Sequence, residues 1–253
     1  MLIDFEARST KLLMAADPDA FLFDWCRFVN DERVICRIRS YGELKAGNTG
    51  FFRRYHESRT TFYRLIAVDI DGSDVLQLVE LAEAGPRDDL EWNPADQSRI
   101  VSWLPQDNNH ILIQLARDDR VYPSVYRLNI RNNRMLRVQR HRGGVLNWYA
   151  DDEGELYMAS GYLGRDEPAA WSLVDGFERL DLSADGGLEP PALEGLAADG
   201  SSVWVVGNDG NDTRGIGLAD LANRRGRKKL CFAIRSTTRS NLRFILEPGH
   251  HYT

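Results

Sequence analysis

The sequence predicts an all-β fold, a partial β-propeller of about four and a half four-stranded antiparallel blades. The first observation behind this is that Val, Ile, Tyr, Phe and Trp cluster in short runs separated by Asp, Asn and Gly, which is typical of strands joined by turns. The second is a recurring unit: an apolar strand with a Trp, an acidic turn, a second strand, an aromatic-rich third strand, a turn and a fourth strand. A period of ~40–50 residues with four strands is typical of a propeller blade.

The repeating units can be aligned along the chain by their turns. Trp25, Trp103 and Trp148 occupy the same place in successive units. Residues 1–14 have the pattern of a third and a fourth strand, so they predict half a blade, and residues 234–253 predict an irregular tail or the start of a further blade. The incomplete propeller is therefore expected over 1–233, with full blades at about 21–79, 99–140, 144–182 and 193–232.

The recurrent tryptophan is expected to pack between blades. Each blade stacks face to face on its neighbours, so the inner strands are buried on both faces and become nearly continuously apolar. A ligand-stacking platform is the alternative role for Trp25, Trp103 and Trp148.

Composition excludes some classes of partner. The chain has 253 residues, 43% of them hydrophobic, which is enough for a sizeable core, and a net charge of −6. That balance disfavours nucleic acid as a partner, and the basic run 224–229 is expected to be a solvated hairpin tip.

No apolar run reaches the ~18 residues of a membrane span. No signal peptide is visible, but we expect the true N-terminus to lie upstream, in either a cytoplasmic or a periplasmic protein.

The cysteines raise one structural question. Cys26 and Cys36 flank a turn centred on Asp31, so a hairpin there would place them directly opposite each other. Paired antiparallel positions are close enough to permit a disulfide, often a strained one. Two free, half-buried thiols are the expected state.

Three segments resemble a known peptidase family. FDWCRFVNDERVICRI (23–38) is similar to the Trp-Val-Asn-Asp-x-Arg hairpin in the N-terminal propeller of prolyl oligopeptidase-family serine peptidases, especially the bacterial dipeptidyl- and acylaminoacyl-peptidase-like branch. PSVYRLNI (123–130) and GVLNWYADDEGEL (144–156) resemble middle blades of the same branch. The resemblance covers roughly residues 2–230.

That resemblance implies a seven-bladed propeller joined to an α/β-hydrolase domain. The family's hydrolase carries its nucleophile in a G-x-S-x-G elbow, and this string does not occur in the sequence. No catalytic residue is therefore carried over, and the chain alone is expected to hydrolyse no peptide. The expected partners are the α/β-hydrolase domain of the same polypeptide, of which this chain would be a fragment, and peptide substrates. A free-standing propeller that acts as a binding scaffold is the alternative.

No cofactor or metal site is predicted. The acidic stretch 69–74 (DIDGSD) has Gly in the fourth place, whereas an EF-hand loop requires it in the sixth. An Asp71-Gly72 hairpin turn explains the stretch better.

The strongest functional candidate is an insertion in the first full unit, residues 40–60. It is polar and contains three glycines, and it carries Phe51, Phe52, Arg53, Arg54 and Tyr55. Aromatic and Arg side chains on a loop are typical contact anchors. We expect this loop to contact a catalytic domain, a substrate peptide or a second subunit; a loop that covers an apolar blade edge is the alternative.

Overall fold

A computed structural model describes residues 2–4, 8–44, 58–79, 95–164, 167–180, 192–207, 215–222, 229–237 and 241–245. Every regular element in these ranges is a β-strand, which confirms the predicted all-β class. In chain order the strands are β1 Leu2–Asp4, β2 Ser9–Lys11, β3 Leu22–Phe28, β4 Arg33–Leu44, β5 Ser58–Asp69, β6 Leu76–Leu78, β7 Ile100–Ser102, β8 His110–Leu115, β9 Ser124–Asn129, β10 Met135–Gln139, β11 Val145–Ala150, β12 Leu156–Leu163, β13 Glu167–Ser172, β14 Glu178–Leu180, β15 Ala192–Leu196, β16 Ser202–Gly207, β17 Gly215–Asp220, β18 Lys229–Thr237 and β19 Asn241–Ile245.

Consecutive strands pair into sheets of the propeller-blade type. Blade I is β3–β6, blade II β7–β10, blade III β11–β14 and blade IV β15–β19, and all neighbouring strands are antiparallel. Strands β1 and β2 form a separate two-stranded hairpin. Blade IV carries β19 as a fifth strand beside β18. The described sheets therefore confirm the predicted fold class: four antiparallel sheets of the propeller-blade type, preceded by a hairpin.

The chain divides into two compact units. Unit 1 is Met1–Gly143 with Asp152–Gly154, and unit 2 is Gly144–Asp151 with Glu155–Thr253. In unit 1, blades I and II enclose one apolar core, because alternate residues of β4, β5, β8 and β9 point to a shared interior. Its buried residues are Ile35, Leu65, Ala67, Leu78, Val79, Ile111, Ile113, Leu115, Tyr126, Leu128 and Ile130.

Unit 2 repeats this arrangement with smaller side chains. Blades III and IV enclose a second core, whose buried members are Tyr157, Met158, Ala170, Leu180, Val203, Val205, Ala219 and Leu221. Strand β17 alternates buried and half-buried residues throughout, as expected for a strand covered on one face.

The segment that follows the β1–β2 hairpin covers the other face of blade I. Leu13 and Met14 pack against the buried residues Val34, Cys36 and Val68. Lys11 Nζ donates a hydrogen bond of 2.5 Å to the carbonyl oxygen of Asp71, which ties β2 to the β5–β6 turn. The N-terminal hairpin is thus anchored to blade I.

The expectation of two free thiols is wrong. The register of β3 and β4 pairs Cys26 directly with Cys36, their Cα atoms are 4.0 Å apart, and the two sulfur atoms form a disulfide. The sequence placed them opposite each other correctly. It also indicated that this pairing permits a disulfide, but it favoured the unbonded state.

The predicted insertion at 40–60 is shorter than expected. Strands β4 and β5 remain paired from Arg33 opposite Asp69 to Leu44 opposite Ser58, so both ends of the insertion are strand. The reason is that this segment contains Ser, Tyr and Thr residues, which tolerate an extended conformation, and the antiparallel pairing simply continues. Only residues 45–57 separate the two strands.

The Asp71-Gly72 hairpin turn is confirmed. Gly72 adopts a positive φ of 82°, which a glycine accepts without steric cost. The Asp71 carboxylate accepts hydrogen bonds from the backbone N–H and the hydroxyl of Ser73. These bonds lower the pKa of Asp71. The Asp71 carboxylate therefore serves the turn itself.

A buried guanidinium connects the strand ends of blade I. Arg33 is fully buried, and its Nη1 lies 2.5 Å from Asp69 Oδ1 and 2.7 Å from Asp74 Oδ2. Its Nη2 donates to the carbonyl oxygen of Asp74 at 3.0 Å. From blade II, Arg131 reaches Asp69 at 3.5 Å and Glu32 at 2.6 Å. The two blades thus share one charge network at this end.

The shared core of unit 1 leads to a prediction about Leu65. Leu65→Ala should lower the free energy of unfolding by about 2–5 kcal/mol, because it removes a fully buried side chain and leaves a cavity. Leu136→Ala in the same unit is the matched control; its side chain is 68% exposed, so about 0.5 kcal/mol or less is expected. Urea denaturation measures both, and equal losses would contradict the described core.

The buried Arg33 leads to a second prediction. Arg33→Met keeps most of the side-chain volume but leaves Asp69 and Asp74 without their shared cation. We expect a loss of about 3 kcal/mol, the low end for breaking a buried pair, since both carboxylates retain contact with water. Arg179→Met breaks the exposed pair with Glu167 and should cost about 1 kcal/mol or less. If Arg33→Met leaves the free energy of unfolding unchanged in thermal or urea denaturation, the proposed structural role of this network is wrong.

Candidate functional site

The predicted contact residues Phe51, Phe52, Arg53, Arg54 and Tyr55 lie outside the described residues. The structure does show the element that carries them. Strands β4 and β5 form a long hairpin on blade I, and the residues 45–57 connect its two arms. The described residues closest in sequence to the predicted loop are therefore those of this hairpin, which makes its polar surface the candidate site.

Two arginines and a tyrosine share one face of the β4–β5 hairpin. Arg37 and Arg39 are two positions apart on β4, and Arg39 pairs with Tyr63 on β5. Because side chains alternate between the faces of a strand, all three point to the same side. The Arg37 guanidinium carbon lies 3.9 Å from the centroid of the Tyr63 ring, a cation–π contact. Tyr63 therefore holds the Arg37 guanidinium in a defined orientation.

Two carboxylates flank these arginines. Asp24 Oδ1 lies 3.2 Å from Arg39 Nε, and its Oδ2 lies 3.8 Å from Arg37 Nε. Asp96 Oδ2 lies 3.9 Å from Arg37 Nη2. The contacts of Arg37 are longer than hydrogen bonds, and the Nε atoms of both arginines are buried without an aligned acceptor. Among the described residues, Arg37 and Arg39 are thus paired electrostatically with Asp24 and Asp96, but their N–H donors are not all used in hydrogen bonds.

Asp96 is positioned by a short parallel bridge between residues 95–97 and β5. The backbone N–H of Tyr63 donates to Ala95 at 2.7 Å, and that of Gln97 donates to Tyr63 at 3.0 Å. Arg64 Nη1 donates to the carbonyl oxygens of both Tyr63 and Ala95. Burial lowers the pKa of Arg64, and the nearby Asp96 carboxylate partly opposes that shift. Arg64 therefore anchors the bridge that positions Asp96.

An aromatic pair adjoins the arginines. Trp25 on β3 pairs directly with Arg37, and its ring lies 5.9 Å from that of Trp103 in an edge-to-face arrangement. The Arg27 guanidinium lies 4.5 Å from the Trp103 ring. Trp25 and Trp103 are both half-buried against the core of unit 1, and in unit 2 Trp148 is buried 6.4 Å from Phe177. The packing role of these tryptophans stays a prediction.

Sequence reasoning missed a second polar cluster, on blade II. His110 begins β8, and its Nδ1 lies 3.0 Å from Asp107 while its Nε2 lies 3.2 Å from Asn129 Nδ2. Arg127 also donates to the Asp107 carboxylate. The contact of Nε2 with an amide donor and of Nδ1 with a carboxylate fits one neutral tautomer. No pattern in the sequence marked this cluster, since its members come from a turn and two strands.

The pKa of Asp107 is lowered to about 2. Burial raises it, but the hydrogen bonds from the Asn109 backbone, Arg127 and His110 together lower it by more. These donors favour the charged form of the carboxyl group. The cluster therefore stabilises blade II through an ionised aspartate.

No group of three or more His, Cys, Asp or Glu side chains that could hold a metal ion occurs in the described part of the chain. Within the same residues, no helix is long and apolar enough to cross a membrane.

Comparison with known proteins adds two distant structural likenesses. No family model and no curated protein matches the chain. The crystal structure of TolB from Acinetobacter baumannii is similar with a TM-score of 0.41 and 13% identity, over 82% of this chain and 49% of that one. Porphyromonas gingivalis dipeptidyl peptidase 4 is similar with a TM-score of 0.41 and 9% identity, over 84% and 33%. The chain thus spans about half of the first protein and a third of the second, and likenesses at this level carry no argument about function.

The lowered pKa of Asp107 leads to a prediction about acid stability. A carboxyl whose pKa is lower in the folded state stabilises the fold above its unfolded pKa, and that contribution is lost as the pH falls towards the folded pKa. For Asp107 the window runs from about pH 4, the ordinary range of an aspartate, to about pH 2. Asp107→Asn should therefore flatten the decline of stability with falling pH in this window.

The measurement is the urea midpoint of wild type and variant over a series of pH values. Asp31→Asn, which changes an exposed residue of the β3–β4 turn, is the control and should follow the wild-type curve. An Asp107→Asn curve parallel to that of the wild type would contradict the assignment.

Proposed function

We propose that this chain is the non-catalytic propeller portion of a prolyl oligopeptidase-like serine peptidase. In this role the propeller limits the access of substrates, so that only short peptides reach the nucleophile of an α/β-hydrolase domain in the same polypeptide. The observation that carries the proposal is the resemblance of 23–38, 123–130 and 144–156 to propeller segments of that family, together with the blade-type sheets that contain them.

The way in which the three segments fold supports the proposal. Residues 23–38 contribute to the β3–β4 hairpin of blade I, residues 123–130 include β9 of blade II, and residues 144–156 open blade III. Three segments that resemble one family at separate places thus each lie within a blade. A chance likeness of single repeats would not require this agreement.

The β4–β5 hairpin is the proposed interdomain contact. It extends the pairing of blade I as far as Leu44 opposite Ser58, and the connection 45–57 carries Phe51, Phe52, Arg53, Arg54 and Tyr55. Aromatic and Arg side chains are enriched among residues that dominate binding energy at protein interfaces. On this proposal, the connection contacts the hydrolase domain or the peptide that enters it.

The proposal is tested with the coding region from which the chain derives. An in-frame hydrolase domain with a G-x-S-x-G elbow is expected downstream of Thr253. The polypeptide with both domains should hydrolyse short aminoacyl and peptidyl anilides, this chain alone should not, and the hydrolase domain alone should accept longer peptides than the whole polypeptide does.

The contact loop is tested separately. Replacement of Phe51–Tyr55 by Gly and Ser should weaken binding of the separately expressed hydrolase domain by about tenfold, since aromatic and Arg anchors are lost. Replacement of Asp152 and Glu153, exposed in the β11–β12 turn, is the control. Peptide hydrolysis by the chain alone, or an intact gene with no hydrolase domain, would overturn the proposed function and favour a free-standing binding scaffold.

A further inference from the structure

We propose that Arg37 and Arg39, at the β4–β5 hairpin of blade I, bind the carboxylate of a peptide. This inference rests on the proposed function in so far as that function supplies short peptides as the ligand class. The hairpin cluster (Asp24, Arg37, Arg39, Tyr63, Asp96) belongs to unit 1 and contains no residue of the predicted contact loop.

The first argument is the unused hydrogen-bonding capacity of the two guanidinium groups. An arginine presents five N–H donors in a planar fork that matches both oxygens of a carboxylate. Arg37 approaches Asp24 and Asp96 only at 3.8 and 3.9 Å, too far for hydrogen bonds. Since Asp24 contacts Arg37 and Arg39 through its two oxygens, the two guanidinium groups lie side by side. An added carboxylate could take donors from both.

The second argument is that the site is already ordered and accessible. Stacking on Tyr63 at 3.9 Å restricts the Arg37 side chain before any ligand arrives, so less conformational entropy is lost on binding. The side chains of Arg37 and Arg39 remain 27% and 41% exposed. A ligand can therefore reach both groups in the described structure.

The third argument is the local charge. In the hairpin cluster, Arg37 and Arg39 stand against Asp24 and Asp96, so two positive charges balance two negative ones. A monoanionic carboxylate adds one negative charge to this balanced site. A phosphate dianion adds two and meets stronger repulsion from the two aspartates. The cluster therefore favours carboxylate over phosphate.

The fourth argument is the apolar surface beside the charges. Trp25 pairs directly with Arg37, and the Tyr63 ring lies under the Arg37 guanidinium. Both rings are half-buried, so each leaves an exposed part that can contact a ligand side chain. A carboxylate attached to an apolar or aromatic peptide residue fits this combination better than a small inorganic anion.

The test is calorimetric titration of the full chain with four acetylated tripeptides. Ala-Ala-Phe with a free carboxylate is compared with its amide, and Ala-Glu-Phe amide is compared with Ala-Gln-Phe amide. At least one carboxylate peptide should bind about tenfold or more tightly than its neutral counterpart, and the preference should shrink as salt is added. Preference in the first pair identifies a C-terminal carboxylate, and preference in the second identifies an acidic side chain.

Two conservative variants assign the binding to this cluster. Arg37→Lys and, independently, Arg39→Lys keep the charge but lose the planar fork, so each should lower the affinity for the carboxylate peptide by about fivefold or more. Arg137→Lys changes an exposed arginine that pairs with Asp118 on blade II, and it should bind as the wild type does. Unchanged melting temperatures show that the variants remain folded.

Three results would overturn the inference: equal affinity for carboxylate and neutral peptides, wild-type affinity in both lysine variants, or displacement of the peptide by less inorganic phosphate than acetate.

Failure of the inference remains distinguishable from failure of the proposed function. A chain that binds carboxylate peptides through Arg37 but belongs to no hydrolase polypeptide keeps the site and loses the peptidase role. If the chain belongs to an active peptidase but does not bind carboxylate peptides, the peptidase role stands and the site proposed at Arg37 and Arg39 is wrong.

Discussion

Blade I is organised around a guanidinium group that has no contact with water. Arg33 begins β4 and is fully buried, and its two Nη atoms contact Asp69 at the end of β5 and Asp74 in the turn that follows. Transfer of an arginine into the interior is costly unless carboxylates and carbonyl oxygens surround it. The chain meets this requirement only when β4 and β5 pair in the observed register. The same register then sets the position of every residue farther along the hairpin.

The hairpin cluster follows from that register by simple alternation. Counting in twos from Arg33 along β4 brings Ile35, Arg37 and Arg39 to the same face. Ile35 lies in the core that blades I and II share, whereas Arg37 lies at its border, where the apolar core gives way to Tyr63 and Trp25. A shift of one residue would move the arginines to the opposite face, where Cys36 now packs against Val34 and Val68. Structural stability and the candidate site therefore depend on one pairing.

Much of this architecture follows from local sequence. The predicted strands that carry Trp25 and Trp148 are present, β7 ends at Ser102 just before Trp103, and the Asp71-Gly72 turn forms as expected. A turn of the same kind lies at Asp199-Gly200, where the Asp199 carboxylate accepts hydrogen bonds from the backbone N–H groups of Ser201 and Ser202. Such features involve residues a few positions apart, so their chemistry is visible in a short window. The contacts within the hairpin cluster were not visible in this way. Asp24 and Asp96 are far apart in the chain, and only the parallel bridge at Tyr63 brings Asp96 to Arg37.

The amino-acid sequence by itself determined the alternation of strands and turns, the repeating blade unit and the placement of Cys26 opposite Cys36. Each of these depends on side-chain periodicity or on turn chemistry, which act locally. Only the tertiary structure decided that the cysteines bond, that β4 and β5 extend into the expected insertion, and that Arg33 is buried while Arg37 is left with unused donors. The physical reason is that burial and ion pairing depend on which residues of distant strands meet. A linear pattern of apolar and charged residues does not specify which residues of distant strands come into contact.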